Sequence, residues 1–171
     1  MSTLPELNDA PGDEALQALM ACVGSRNWAE RLLLRRPFQS IDSLLEDARV
    51  CSEGLADSDW LDAVSSHPRI GERVGEGVDG RHAGWSDQEQ AGARGAQTAT
   101  TMALREANIT YEQRFGYTFI VCATGKTGEE MLAICRDRLT NDAATELQVA
   151  ANELRKIAEI RLRKLTGGKT E

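Results

Sequence analysis

Long apolar runs are missing from this chain. No stretch approaches the roughly 18 apolar residues that a membrane-spanning helix needs, so no membrane segment is expected. Basic charge is scarce too: 20 Lys and Arg stand against 27 Asp and Glu, a formal net charge of −7. An acidic surface repels phosphate backbones and anionic lipid alike, so neither nucleic acid nor a membrane is an expected partner. A small anionic ligand stays open, because a single arginine or a helix N-terminus binds one against the global field. The four cysteines (Cys22, Cys51, Cys122 and Cys135) form no C-x-x-C pair, and buried, reduced thiols are the expectation. The two histidines, His67 and His82, have no acid or thiol at ligand spacing. Zinc needs three or four convergent ligands, so no metal is expected. Met1 to Glu6 lacks the basic and apolar regions of a signal peptide. Gly168-Lys169-Thr170-Glu171 is neither a peroxisomal nor an ER address. A cytoplasmic setting is the expectation from these two readings.

What is present is helical periodicity. The chain has 171 residues, 41% hydrophobic and 27% charged, which suits a single compact domain that folds without disulfides or metals. Asp13 to Val23 carries Leu16, Leu19, Met20 and Val23 at spacings of three and four, and Gly24 is a natural stop. Asn27 to Leu34 reads as a short helix ended by Pro37. Ser40-Ile41-Asp42 opens a third helix that Gly54 closes, and Asp57-Ser58-Asp59 caps a fourth that His67-Pro68 ends. A long helix is expected from Ser86 towards Ala107, with a short one from about Thr110 to Phe115, stopped by Gly116. Thr127-Gly128-Glu129-Glu130 has the form of a capping box. Ala143 to Leu165 is a final long helix.

Tyr117 to Ala123 is the one β-like run, and one run makes no sheet. There is no internal repeat, low-complexity tract or linker. The expectation is one all-α domain of about eight helices with no significant sheet, and with residues 1–12 and 166–171 as flexible ends.

Several residues invite a chemical reading. Gly125-Lys126-Thr127 hints at a P-loop, but the position that needs the first glycine is Ile120, so the phosphate cradle is missing and Lys126 reads as part of a solvated cap. Residues 69–85 hold five glycines among charges with no core-facing stripe, and a loop that long usually serves a site or moves. His67 stands at its mouth, pushed towards extended backbone by Pro68. A plain helix-terminating histidine, its cation facing the dipole, is the reading the residues alone favour. At the far end of the loop, Ser86 with Glu89 three residues on has capping-box spacing. The same helix start, with Gln88 and Gln90, makes a polar cup suited to a planar, amide-rich or carboxylate-bearing ligand. Phe119 to Ala123 would add unpaired backbone groups if no strand pairs with them. Arg155, Arg161 and Arg163 dot the last helix, where a solvated basic face accounts for two of the three.

Three motifs in order resemble one family. They are His67-Pro68-Arg69-Ile70-Gly71-Glu72, Ser86-x-x-Glu89-Gln90-x-Gly92, and Phe115-Gly116-Tyr117-x-Phe119-Ile120. Together they resemble the OHCU decarboxylases, which convert 2-oxo-4-hydroxy-4-carboxy-5-ureidoimidazoline (OHCU) to (S)-allantoin and CO2 in urate breakdown. The resemblance extends to Glu153-x-x-Lys156-Ile157 and Arg161-Leu162. It implies His67 as catalytic histidine and Glu89 as essential carboxylate. It implies substrate-binding roles for Pro68, for Ser86, Asp87, Gln88 and Gln90, for Phe119, Ile120, Val121, Cys122 and Ala123 through their main chain, and for Arg161. It also implies a homodimer and no cofactor, because the ring C=N of the substrate can accept the electron pair that decarboxylation releases. Ala93 departs from a larger aliphatic residue in many relatives, which bears on the wall of the site rather than on the reaction. Two other readings remain beside this one. A hydrolase acting on a cyclic ureide would open the ring without releasing CO2. A non-catalytic helical interaction module would show an exposed apolar groove in place of a polar cup.

Overall fold

The computed structural model describes residues 3–67 and 98–167. Every regular element among them is an α-helix: α1 (Leu4–Asp9), α2 (Gly12–Val23), α3 (Arg26–Leu33), α4 (Ile41–Glu53), α5 (Asp57–Ser65), α6 (Thr98–Phe115), α7 (Gly128–Arg138) and α8 (Ala143–Leu165). The all-α expectation holds for the described residues. No helix of these is long and apolar enough to cross a membrane.

Local chemistry sets the boundaries. Gly24 ends α2 at φ 85°, in the left-handed region that a side chain would strain, and its N–H donates to the Met20 carbonyl. Ser40 opens α4 through a reciprocal box in which the Ser43 amide donates to Ser40 Oγ at 3.1 Å and the Ser40 amide to Ser43 Oγ at 3.0 Å. Thr127 and Glu130 do the same for α7. Two stretches differ from the sequence reading. Residues 4–9, within the stretch read as a loose end, form α1, whose Leu7 is fully buried. The expected break between Ala107 and Thr110 is absent, and one helix runs through to Phe115 with Asn108 buried. Helix propensity is a weak prior, and packing overrides a local polar residue. The expected start of that helix, at Ser86, lies outside the described residues.

The chain divides into two compact units. The first comprises Met1–Ala63 and Arg155–Glu171. There α2 packs on α3 and α3 on α4, around Leu19, Cys22, Trp28, Leu32 and Leu44. The Trp28 indole N–H donates to the Ala48 carbonyl and to Ser52 Oγ, both at 3.1 Å, so burying it leaves no orphan donor. Arg36 gathers the carbonyls of Leu7, Asn8 and Ala10, the end of α1. The second unit comprises Val64–Leu154. There α6 packs on α7, and Tyr111 on α6 lies 4.7 Å from the Phe115 ring and 5.2 Å from the Phe119 ring. All four cysteines are free and buried. Burial pushes the Cys135 thiol up to about 11, which makes it an inert packing residue at neutral pH.

Candidate functional site

The second unit holds the described part of the predicted site, apart from Arg161. His67 follows α5 by two residues, and its amide donates to the Val64 carbonyl at 3.2 Å. The side chain is buried at 8% exposure, with Nδ1 3.4 Å from Ser66 Oγ. Pro68, Ser86, Asp87, Gln88, Glu89 and Gln90 lie outside the described residues.

Phe119, Ile120, Val121, Cys122 and Ala123 form no strand, and all five are buried, at 0–7% exposure. Four of their backbone groups are held from outside the segment, the Ala123 carbonyl by the Lys126 amide at 3.0 Å and three others by side chains. Arg138 Nη1 on α7 donates to the Ile120 carbonyl at 2.7 Å. The Cys122 amide donates to Glu153 Oε2 on α8 at 2.7 Å. Lys126 Nζ donates to the Cys122 carbonyl at 2.9 Å. Lys126 therefore folds back onto the segment, half-buried, instead of standing in a solvated cap. The amides of Phe119, Val121 and Ala123, and the carbonyls of Phe119 and Val121, have no partner among the described residues. Of the even-numbered residues only the Ile120 amide shares that state. In an extended chain, the N–H and C=O of residues two apart share an edge. The alternation thus marks one edge clamped by side chains and one left open. Buried backbone groups are nearly always paired in folded proteins, so an open buried edge is a place for a ligand with donors and acceptors in a plane.

The clamp is itself anchored. Arg138 donates to Glu146 from Nε at 2.8 Å and Nη2 at 2.5 Å, and its guanidinium lies 4.8 Å from the Phe119 ring centroid. Glu146 is fully buried and also accepts from the Tyr111 hydroxyl and, at 2.7 Å, from Asn141 Nδ2. Burial opposes the charge on Arg138, yet the Glu146 carboxylate and the Tyr111 oxygen outweigh it, and the guanidinium titrates above its ordinary value. Burial, followed by the hydrogen bond to Glu146, pushes the Tyr111 phenol up. The sequence reading missed Arg138, Glu146 and Tyr111. Only the inward face of each helix could have flagged them, and a single polar residue on such a face is not a distinctive signal.

Arg161 lies in the first unit, 1% exposed, and donates to the Ala21 and Cys22 carbonyls at 3.3 and 3.2 Å. There it satisfies the C-terminal turn of α2. Arg163 pairs with Glu159 at 3.1 Å on the surface, as a solvated face would. Arg155 instead stacks 4.6 Å from the Trp60 ring centroid. A groove of about 480 Å³ in the first unit, lined by Trp28, Glu46, Arg49, Glu159 and Arg163 among others, contains none of the predicted site residues. Arg49 and Arg163 are matched there by Glu46 and Glu159. No group of three or more acidic, histidine or cysteine side chains placed to hold a metal ion occurs among the described residues.

Comparison with known proteins converges on one family. The family model for OHCU decarboxylase matches residues 8–163. The chain is 33% identical over 151 residues to the uric acid degradation bifunctional protein TTL of Arabidopsis thaliana, covering 88% of this chain and 47% of that protein. It therefore spans about half the length of that relative. It is 29% identical over 161 residues to the 2-oxo-4-hydroxy-4-carboxy-5-ureidoimidazoline decarboxylase of Haloferax volcanii, covering 94% of each chain. Its fold is similar, with a TM-score of 0.76 and 31% identity, to a crystal structure of OHCU decarboxylase in the presence of (S)-allantoin, over 88% of this chain and 97% of that one.

Proposed function

The chain belongs to the OHCU decarboxylase family, and from that premise we propose that it converts OHCU to (S)-allantoin and CO2 without a cofactor. The observation that carries this reading is the open backbone edge at Phe119, Val121 and Ala123. A ureide ring presents carbonyl acceptors and N–H donors in one plane, and such an edge can read them as a neighbouring strand would.

The chemistry needs an electron sink, a turned carboxylate and one proton. The bond from the ring carbon to its carboxylate breaks, and CO2 leaves. The bonding pair forms a carbon–carbon double bond as the adjacent C=N pair withdraws to nitrogen, which takes a proton. The resulting enol returns to a carbonyl when a proton reaches one face of the carbon that bears the ureido group, and that face sets the S configuration. His67 and Glu89 hold the hydroxyl and carboxylate end and manage the proton. An imidazole suits this because its unperturbed pKa of about 6.5 lies near neutrality. Pro68, Ser86, Asp87, Gln88 and Gln90 line the site, with the glutamines reading the ureido and ring amides. Phe119, Ile120, Val121, Cys122 and Ala123 bind through the main chain, and Arg161 binds an anionic or carbonyl oxygen. The family match across both units supports reading the chain as one domain. A homodimer follows from the resemblance, and sedimentation of the purified chain tests it.

Freshly generated OHCU supplied to the protein should give CO2 and the circular dichroism of (S)-allantoin faster than the spontaneous reaction. The folded His67→Asn variant should lose about 10²–10⁴ in turnover. Ring opening without CO2 would point to a hydrolase. Full turnover by His67→Asn would remove the histidine from the mechanism.

A further inference from the structure

We propose that Glu153 and Arg138 are positioning residues for this reaction, holding the closed edge of residues 119–123 so that the open edge is presented to substrate. The proposal rests on the reading of that segment as the substrate-binding edge.

Beside the Lys126 contact with the Cys122 carbonyl, the closed edge takes two contacts from neighbouring helices, at alternate residues. α7 supplies the Arg138 donor to the Ile120 carbonyl, and α8 supplies the Glu153 acceptor for the Cys122 amide, each at 2.7 Å. Both side chains are buried, at 5% and 9% exposure. Without them only the Lys126 contact fixes the rotation of the segment about its own axis, since no strand lies beside it among the described residues. A turn about that axis swings the amides of Val121 and Ala123 away from any ligand while leaving the hydrophobic side chains to repack. Misplacing a binding group by about 1 Å is enough to cost roughly a hundredfold in rate. Arg138 is held by Glu146, and Glu146 by Tyr111 and Asn141, so its donor is aimed before substrate arrives. Glu153 meets Cys122 directly, so it is the first residue to test.

Two conservative variants separate positioning from charge. Glu153→Gln keeps a carbonyl oxygen for the Cys122 amide and removes the negative charge. Glu153→Asp keeps the charge and withdraws the acceptor by one methylene. Positioning predicts that Glu153→Asp raises KM for OHCU, and Kd for the product (S)-allantoin, about tenfold, as loss of one charge-assisted hydrogen bond does. It predicts that Glu153→Gln stays within about threefold of the wild type, since the acceptor is retained. The reverse order, with Glu153→Gln impaired in kcat and Glu153→Asp normal, would overturn the proposal in favour of direct action by the carboxylate. Lowered thermal stability in both with unchanged KM and Kd would overturn it in favour of a merely structural contact. Arg138→Lys, which shortens the donor to the Ile120 carbonyl, gives an independent reading. It should raise KM in the same direction, and an unchanged KM counts against the proposal. The wild-type chain is assayed alongside: if it neither turns over OHCU nor binds (S)-allantoin, the functional reading itself fails, separately from the role of Glu153.

Discussion

Replacing Arg138 by Met tests how the buried cluster of the second unit is held together. The substitution keeps an unbranched, apolar side chain in the space and removes four things. They are the two-pronged contact with Glu146, the donor to the Ile120 carbonyl, the Nη2 donor 3.3 Å from the Tyr111 hydroxyl, and the cation 4.8 Å from the Phe119 ring centroid. Glu146 is then left fully buried with only the Tyr111 hydroxyl and the Asn141 amide as donors. Breaking a buried pair by deleting one partner costs about 3–5 kcal/mol, because the remaining charge has lost its counterion. Against a total stability of about 5–15 kcal/mol for a typical protein, that is a large fraction. The double variant Arg138→Met/Glu146→Leu removes the stranded charge as well. The Ile120 carbonyl is left unpaired in both variants and Asn141 is only half-buried, so the cost particular to the double variant is the Tyr111 hydroxyl, about 1–3 kcal/mol for a buried group left unpaired. The two contributions are not additive, since they share one network. Urea denaturation followed by far-UV circular dichroism should find the double variant more stable than Arg138→Met alone. A single-variant loss below about 1 kcal/mol, the average for any point substitution, or a double variant as unstable as the sum of the singles, would refute this account. The double variant also carries a functional signature: it should remain folded and still show a raised KM, because the Ile120 carbonyl is no longer held.

The N-terminal caps of α7 and α8 are pH-sensitive in a defined direction. Hydrogen bonds from the Thr127 backbone, then its side chain, hold Glu130 below its ordinary 4.5, and the Thr145 backbone, then its side chain, do the same for Asp142. A depressed carboxylate stabilises fully above its unfolded pKa, and that contribution is lost as pH falls through the folded value. Melting temperature should therefore drop on acidification below the ordinary carboxylate range, and Glu130→Gln should show a shallower acid limb than the wild type. Gly116 ends α6 at φ 80° with no atom within 4 Å of an added Cβ, so Gly116→Ala meets backbone strain alone and should lose about 1–2 kcal/mol by thermal denaturation. Gly116→Asn should lose less, because asparagine tolerates the left-handed region better.

Much of the fold was legible because its signals are local. Gly24, Ser40, the Thr127–Glu130 box and the spacing of apolar residues each act over three or four positions, and the observed helices start and stop near them. α1 was not legible, since a six-residue helix carries little periodicity and its ties are distant, from Arg36 and from Asn8 paired with Phe38. The continuity of α6 through Asn108 was hidden because the burial of that asparagine is set by packing and not by its neighbours in sequence. At the site, the sequence marked His67 and Phe119 to Ala123 as worth attention, and the prospect of unpaired backbone there is met at Phe119, Val121 and Ala123.

Helix type, most helix boundaries and the motifs that give the family follow from the residues in order, because caps, periodicity and ordered motifs are properties of near neighbours. Which edge of residues 119–123 is clamped, and by which side chains, was decided only in three dimensions. Glu153 reaches Cys122 across 31 positions, and Tyr111 reaches Glu146 across 35. A polar residue on the inner face of a helix does not announce its partner. Its hydrogen bond is forced on it by burial, and burial exists only once the helices have packed.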